Sequence, residues 1–172
     1  MKLVGRISES MILANAIKSN RPELIAVYGR RRVGKTFLIR NVYKKEIQFE
    51  FSGVHKGSMK QQLKNFYLTL SRLKSGFAKP LDWIDAFHLL GQYIESLASK
   101  KKKVIFIDEF PWLDSRKSNF LPAFDNFWNS FASKRDDLVV VICGSAASYM
   151  IQNIIKSKGG LHNRLTEKIQ LL

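Results

Sequence analysis

The chain has 172 residues, 45% of them apolar, which suits one domain with a substantial core and argues against disorder. Lys and Arg number 29 against 14 Asp and Glu, and the net charge of +15 points to polyanionic partners, ATP or nucleic acid. The single cysteine excludes an internal disulfide and no apolar run reaches the about 18 residues of a membrane span, so a soluble, reduced, cytoplasmic protein is expected.

In chain order, Leu3, Val4, Gly5 and Arg6 make a short turn-containing lead-in. A helix follows with Ile12, Leu13, Ala16 and Ile17 on one face, ended by Ser19, Asn20, Arg21 and Pro22. Residues 24–28 are too short for a helix and apolar enough for a buried parallel strand, which glycine ends. A glycine-containing loop then leads into a helix-like run over 37–43. Residues 46–51 alternate polar and apolar, which predicts a strand at the sheet edge. Met59, Leu63, Phe66, Tyr67, Leu70 and Leu73 recur at helical spacing; after Pro80, so do Trp83, Phe87, Leu90, Ile94 and Leu97. Both stripes read as core-facing helices rather than as a ligand box.

Lys100, Lys101, Lys102 and Lys103 read as a solvated cap on the end of the second of these helices. The strand 104–107 runs into Asp108, Glu109, Phe110, Pro111 and Trp112. Leu121, Phe124, Trp128 and Phe131 mark another helix, Asp136 and Asp137 turn the chain, and 138–143 predicts a third fully buried strand. Within it Cys143 reads as a small buried hydrophobe. After Gly144 and Ser145, a helical stripe of Ala147, Met150, Ile151, Ile154 and Ile155 is stopped by Lys156, Ser157, Lys158, Gly159 and Gly160, and 166–172 is a final strand. Strands alternating with helices predict a single α/β domain, residues 1–172, around a mainly parallel sheet.

The chemistry gathers at the strand ends. Residues 29–36 complete the GxxxxGK[ST] phosphate-loop pattern in the strand–loop–helix context that the pattern requires. Gly29 and Gly34 let backbone N–H groups approach phosphates, the following helix adds the positive end of its dipole, and Lys35 can reach the outer phosphates. Thr36 offers a hydroxyl to Mg²⁺, and Asp108, after four apolar strand residues, supplies a carboxylate. Glu109 can orient an attacking water. Ser145 either contacts the γ-phosphate or the water, or caps the next helix. Arg164 either stabilises transition-state charge, in its own or a neighbouring subunit, or forms a surface ion pair. Arg30, Arg31 and Arg32 fill the variable part of the loop, where solvation or a regulatory contact is expected. His162 reads as structural, and no Cys/His cluster supports a zinc site.

Val4-Gly5-Arg6 with Glu9, the run from Arg21 through Thr36, Ile107-Asp108-Glu109-Phe110, Cys143-Gly144-Ser145 and Asn163-Arg164 together resemble the archaeal-type ATPases of the AAA+-related STAND group, over essentially the whole chain. The resemblance implies a three-layer P-loop NTPase fold with helices on both faces of a five-stranded sheet ordered 5-1-4-3-2. It implies ATP and Mg²⁺ as ligands. Gly5 and Arg6 would lie near the adenine, and Gly29, Arg30, Arg31, Arg32, Val33, Gly34, Lys35, Thr36 and Phe37 would wrap the phosphates. Ser145 would stand at the sensor position, where relatives often carry asparagine, and Arg164 where many AAA+ proteins place an arginine finger. Ile7 departs from the acidic residue often found there. Family members usually continue into a helical lid, a winged-helix domain and often a nuclease-like domain, so this chain is expected to be the nucleotide-binding core with slow turnover. The expected function is Mg-dependent ATP binding and hydrolysis that drives or senses a conformational switch. The alternatives are a nucleotide-sensing scaffold without useful turnover and a basic DNA-binding module with a vestigial P-loop. ATP and ADP are the expected ligands, with DNA and a second copy of the chain as further candidate partners and no membrane.

Overall fold

Three runs of this chain are apolar at nearly every position, and in the computed structural model they form the interior of one parallel sheet. The structure describes residues 5–156, 158, 159, 161 and 163–172. Leu3 and Val4 of the lead-in, Ser157 and Gly160 of the helix stop, and His162 lie outside the described residues.

The interior strands are β1 (Glu23–Gly29), β3 (Lys103–Asp108) and β4 (Leu138–Gly144). Both of their faces are covered, which is why they lack the polar alternation of a half-exposed strand. The edges are β2 (Ile47–Ser52) and β5 (Glu167–Leu171), whose burial alternates along the strand. The order is β2-β3-β4-β1-β5 with every pairing parallel, the expected 5-1-4-3-2 arrangement.

Successive strand residues point to opposite faces, and this divides the core in two. Ile25 and Val27 join Val139, Val141 and Cys143 beneath α1 (Ile7–Lys18) and α2 (Lys35–Val42), meeting Leu13, Leu38 and Ile39. Leu24 and Ala26 join Ile105, Ile107, Val140 and Ile142 on the other face, beneath α3 (Met59–Leu73), α4 (Trp83–Ser96), a short α5 (Phe110–Leu113) and α6 (Phe120–Ser130). Most of the two stripes is core, as the helical period predicts: Leu63, Phe66, Leu70, Trp83, Phe87, Leu90 and Ile94 are buried, whereas Met59 and Tyr67 are half-buried and Leu73 is exposed. Trp83 is enclosed by Phe51, Phe66, Phe87 and Phe120 at ring separations of 4.9 to 6.1 Å. Truncating such a ring to alanine costs about 3–5 kcal/mol.

Capping chemistry fixes where the outer helices begin. Ser58 accepts from the Gln61 N–H while the Gln61 side chain accepts from the Ser58 N–H, a reciprocal capping box, and Asp82 accepts from the Asp85 N–H.

The lysine run departs from the expected helix cap. α4 stops at Ser96, and the last two lysines serve the N-terminal edge of the sheet instead. Lys102 Nζ donates to the carbonyls of Ser19 and Arg21 and to the Ser19 hydroxyl, tying down the end of α1. Lys103 is buried in β3 and pairs with Asp137 at 3.0 Å. Partners distant in sequence outweighed the local preference for a helix end. The last helical stripe also differs in geometry: α7 (Ala147–Tyr149) runs directly into a π-helical turn, Met150–Ile155, which buries Met150 and Ile154. Among the described residues, no helix is long and apolar enough to cross a membrane.

Candidate nucleotide site

Parallel strands place all their C-terminal ends on one edge, and at the ends of β1, β3 and β4 stand Gly29, Asp108 and Ser145. Two glycines allow the loop after β1 to take its path. A Cβ on Gly29 would sit 2.1 Å from the Leu171 carbonyl oxygen of β5, so a side chain there is sterically excluded. Gly34 has open space around it but a φ of +90°, and there glycine is required by conformation instead. It precedes α2, whose first backbone N–H groups open towards the loop.

Lys35 is 6% exposed and curls back over the loop, its Nζ donating to the carbonyls of Gly29 at 3.0 Å and Arg30 at 2.5 Å. Thr36 Oγ1 donates to Asp108 Oδ2 at 2.7 Å, and Asp108 Oδ1 accepts from the Glu109 N–H at 2.9 Å. Glu109 has a left-handed backbone, φ 47°, at the start of α5, so its side chain turns away from the strand direction. Its Oε1 accepts from Ser145 Oγ at 3.3 Å, while Oε2 is buried and has no partner among the described residues. Ser145 therefore does not cap the helix after it: α7 begins at Ala147, its N-cap position is Ala146, and no side chain caps it.

A cleft of about 670 Å³ opens here, bounded by Arg31, Arg32, Gly34, Lys35, Thr36 and Phe37 on the loop side and by Glu109, Trp112 and Ser145 opposite. Asp108 is reached from it through Thr36. Trp112 has no role legible from its place in the run after Asp108. Here Arg31 lies over its ring at 5.6 Å, and the His55 ring is 4.8 Å away on the other chain segment. The backbone carbonyl of Trp112 accepts from Gln62 Nε2. That buried amide also donates to the carbonyls of Val54 and Gly57 and accepts from the Val54 N–H, so one side chain of α3 joins the 53–58 loop to the wall of the cleft. A polar residue on the core-facing side of a predicted helix was the available signal.

Not every predicted residue lines the cleft. Arg30 is exposed, and Val33 packs against the α1–α2 side of the core. Gly5 and Arg6 stand at the start of α1, where Arg6 pairs with Glu9 and donates to the Leu172 carbonyl at the end of β5. Arg164 is exposed in the segment before β5, outside the cleft lining, with no side-chain partner among the described residues. Cys143 is fully buried, and burial first, then the neighbouring Asp108, pushes its thiol well above the usual range; it is inert packing. Burial and Asp114 likewise push the Tyr149 hydroxyl up, and it donates to Asp114 Oδ2 at 2.8 Å, bracing the end of α5 against α7.

Over residues 3–171 the sequence matches the family described as an ATPase domain predominantly from Archaea. The chain belongs to that family. This ATPase domain is 29% identical over 170 residues to an uncharacterized protein of Methanocaldococcus jannaschii, a match covering 98% of the domain and 35% of that protein. Among solved structures, a Walker-type ATPase of Pyrococcus abyssi superposes with a TM-score of 0.60 at 18% identity, covering 98% of this chain and 53% of the other. The ORC2 protein of Aeropyrum pernix, solved as ADPNP and ADP complexes, gives 0.65 at 16%, covering 99% and 48%. Drosophila ORC bound to DNA gives 0.61 at 18%, covering 98% and 43%. At these identities the structural likeness concerns the fold alone, and the domain spans about a third of the curated relative and about half of the solved chains. Family and fold are those of a P-loop ATPase core.

Proposed function

We propose that this domain binds ATP with Mg²⁺ at the cleft between β1, β3 and β4 and hydrolyses it, driving or sensing a conformational switch in the manner of AAA+-related STAND ATPases. The observation that carries the reading is the 2.7 Å contact between Thr36 and Asp108, because it places a hydroxyl and a carboxylate together beside a phosphate loop. An all-oxygen donor pair next to open space suits Mg²⁺, which keeps waters and shares its ligands with phosphate. Thr36 and Asp108 would hold the ion, which when bound supplies charge neutralisation to the phosphates.

The chain's own residues then have distinct tasks. The loop N–H groups and those at the start of α2 donate to the phosphate oxygens, and Lys35 exchanges its two loop carbonyls for phosphate oxygens. Glu109 holds a water with the buried oxygen that lacks a donor, and Ser145 fixes the rotamer of that carboxylate through its other oxygen. Trp112, with Arg31 over its ring, forms the wall opposite the loop. Arg164 remains a candidate finger acting on the cleft of a neighbouring copy, in keeping with its exposed position. The nucleotides in the Aeropyrum complexes support a nucleotide in the same fold position here.

A second reading, contact with DNA, is favoured by the net charge of +15 and by the DNA-bound Drosophila neighbour. Steady-state ATP hydrolysis, with nucleotide binding measured in parallel, separates the readings. The ATPase reading requires Mg-dependent turnover that Lys35→Ala and Glu109→Gln lower by about 10²-fold or more. Turnover or binding indifferent to Lys35→Ala overturns it, and duplex DNA affinity that falls with salt in the same variants supports the second.

A further inference from the structure

On the side of the molecule formed by α3, a groove of about 720 Å³ runs between that helix and the segment leading into α4. Its walls are apolar: Met59, Leu63, Tyr67 and Leu68 from the helix, Pro80 and Leu81 from the segment opposite. Leu68 is 42% exposed and Leu81 83% exposed, so two large aliphatic side chains face solvent across the same trough. Solvated leucines are ordinary singly; two of them closing a concave apolar trough mark a place that another surface covers.

The rim has one sign. Lys60, Lys64 and Lys79 surround the trough and have no ion-pair or hydrogen-bond partner among the described residues. Between Phe51 and Leu81 the chain carries six Lys and Arg and no Asp or Glu. The carboxylates that follow, Asp82 and Asp85, are occupied at the start of α4, accepting from the N–H groups of Asp85 and Leu81. The trough therefore presents an apolar floor with three unpaired lysines and no carboxylate in its lining.

We propose that this groove docks a short acidic segment of a protein partner, its apolar side chains seated between Leu68 and Leu81 and its carboxylates paired with Lys60, Lys64 and Lys79. The 15-residue α3 offers about 22 Å of wall, which matches an amphipathic helix laid alongside it. Nucleic acid is disfavoured by the apolar floor, since phosphates gain nothing from leucine. A flat anionic membrane is disfavoured by the concave shape.

The test is selection of displayed random peptides of about 16 residues on the folded domain, against the Leu68→Asp/Leu81→Asp protein as counter-selection. Melting curves check that these solvent-facing substitutions leave the fold intact. Peptides that combine Asp or Glu with Leu, Ile or Phe are expected to enrich. An enriched peptide, labelled and titrated, should bind about tenfold more weakly to Leu68→Asp/Leu81→Asp. Its affinity should fall with salt, and fall less steeply in Lys60→Ala/Lys64→Ala. Met11→Asp, at an exposed apolar residue of α1, should change nothing. The proposal is overturned by enrichment that survives the leucine substitutions, by enrichment of basic or uncharged peptides, or by absence of enrichment. It is equally overturned if duplex DNA or phosphatidylserine vesicles bind in a lysine-dependent way while the leucine substitutions have no effect.

Discussion

The Thr36 hydroxyl donates to Asp108 at 2.7 Å, so the phosphate loop and the end of β3 meet at one point although 72 residues separate them. In the proposed mechanism this pair is where Mg²⁺ binds, and the metal's contribution should depend on it. Nucleotide affinity measured with Mg²⁺ and with EDTA should differ in the wild type. Thr36→Val should close most of that gap, about tenfold or more for a lost charged-group contact, whereas Thr36→Ser should keep it. Trp112 provides the readout, since it lines the cleft while Trp83 and Trp128 are buried in the core. Quenching of tryptophan fluorescence on nucleotide addition should disappear in Trp112→Phe.

Glu109 and Ser145 can be separated kinetically. Glu109→Gln removes the basic oxygen but keeps the shape, so nucleotide should still bind while turnover falls by about 10²- to 10⁴-fold. Ser145 touches the carboxylate and not the loop, so Ser145→Ala should lower kcat by a smaller factor, about tenfold, with KM nearly unchanged. If KM rises with kcat unchanged, Ser145 contacts the nucleotide instead of positioning Glu109.

What was legible in the sequence follows the reach of the interactions. The interior strands announce themselves because burial on both faces leaves no polar position in residues 104–107 or 138–143, and the glycine–lysine–threonine spacing follows from backbone geometry within a single turn. Asp108 and Glu109 could be placed because they end such a strand. Lys102 and Lys103 could not, since the carbonyls and the carboxylate that hold them come from Ser19, Arg21 and Asp137. The roles of Trp112 and Ser145 depend on where the ends of separate strands lie beside one another. The π-helical turn at Met150–Ile155 keeps the helical apolar spacing almost intact, so periodicity does not distinguish it.

Gln62 offers a stability test of the link between α3 and the cleft. Its fully buried amide satisfies the Val54 N–H and three carbonyls, those of Val54, Gly57 and Trp112. Gln62→Leu keeps the volume and removes every one of these bonds. The expected cost is about 3 kcal/mol, and the melting temperature should drop by about 6–12 °C. Hydrogen exchange should quicken first in residues 53–58. A melting temperature within a degree or two of wild type would mean that water replaces the amide without loss.

Asp137 sets an acid-side limit on stability through Lys103. Burial alone would raise its pKa, but hydrogen bonds from Arg135 and Lys103 outweigh burial and hold the carboxyl below its ordinary 3.8. A group whose folded pKa is depressed contributes stability above its unfolded pKa and loses it as pH falls through the folded value. Asp137→Asn should therefore destabilise the domain at neutral pH, by about 1–3 kcal/mol, because Lys103 is left buried with its charge uncompensated. Below the ordinary carboxylate range that deficit should shrink, as the wild-type Asp137 becomes protonated and loses the same interaction. Urea unfolding of both proteins between neutral pH and acid measures the difference directly. Curves that stay parallel down to the most acidic pH would show that Lys103 is held by the Lys101 carbonyl rather than by the Asp137 charge.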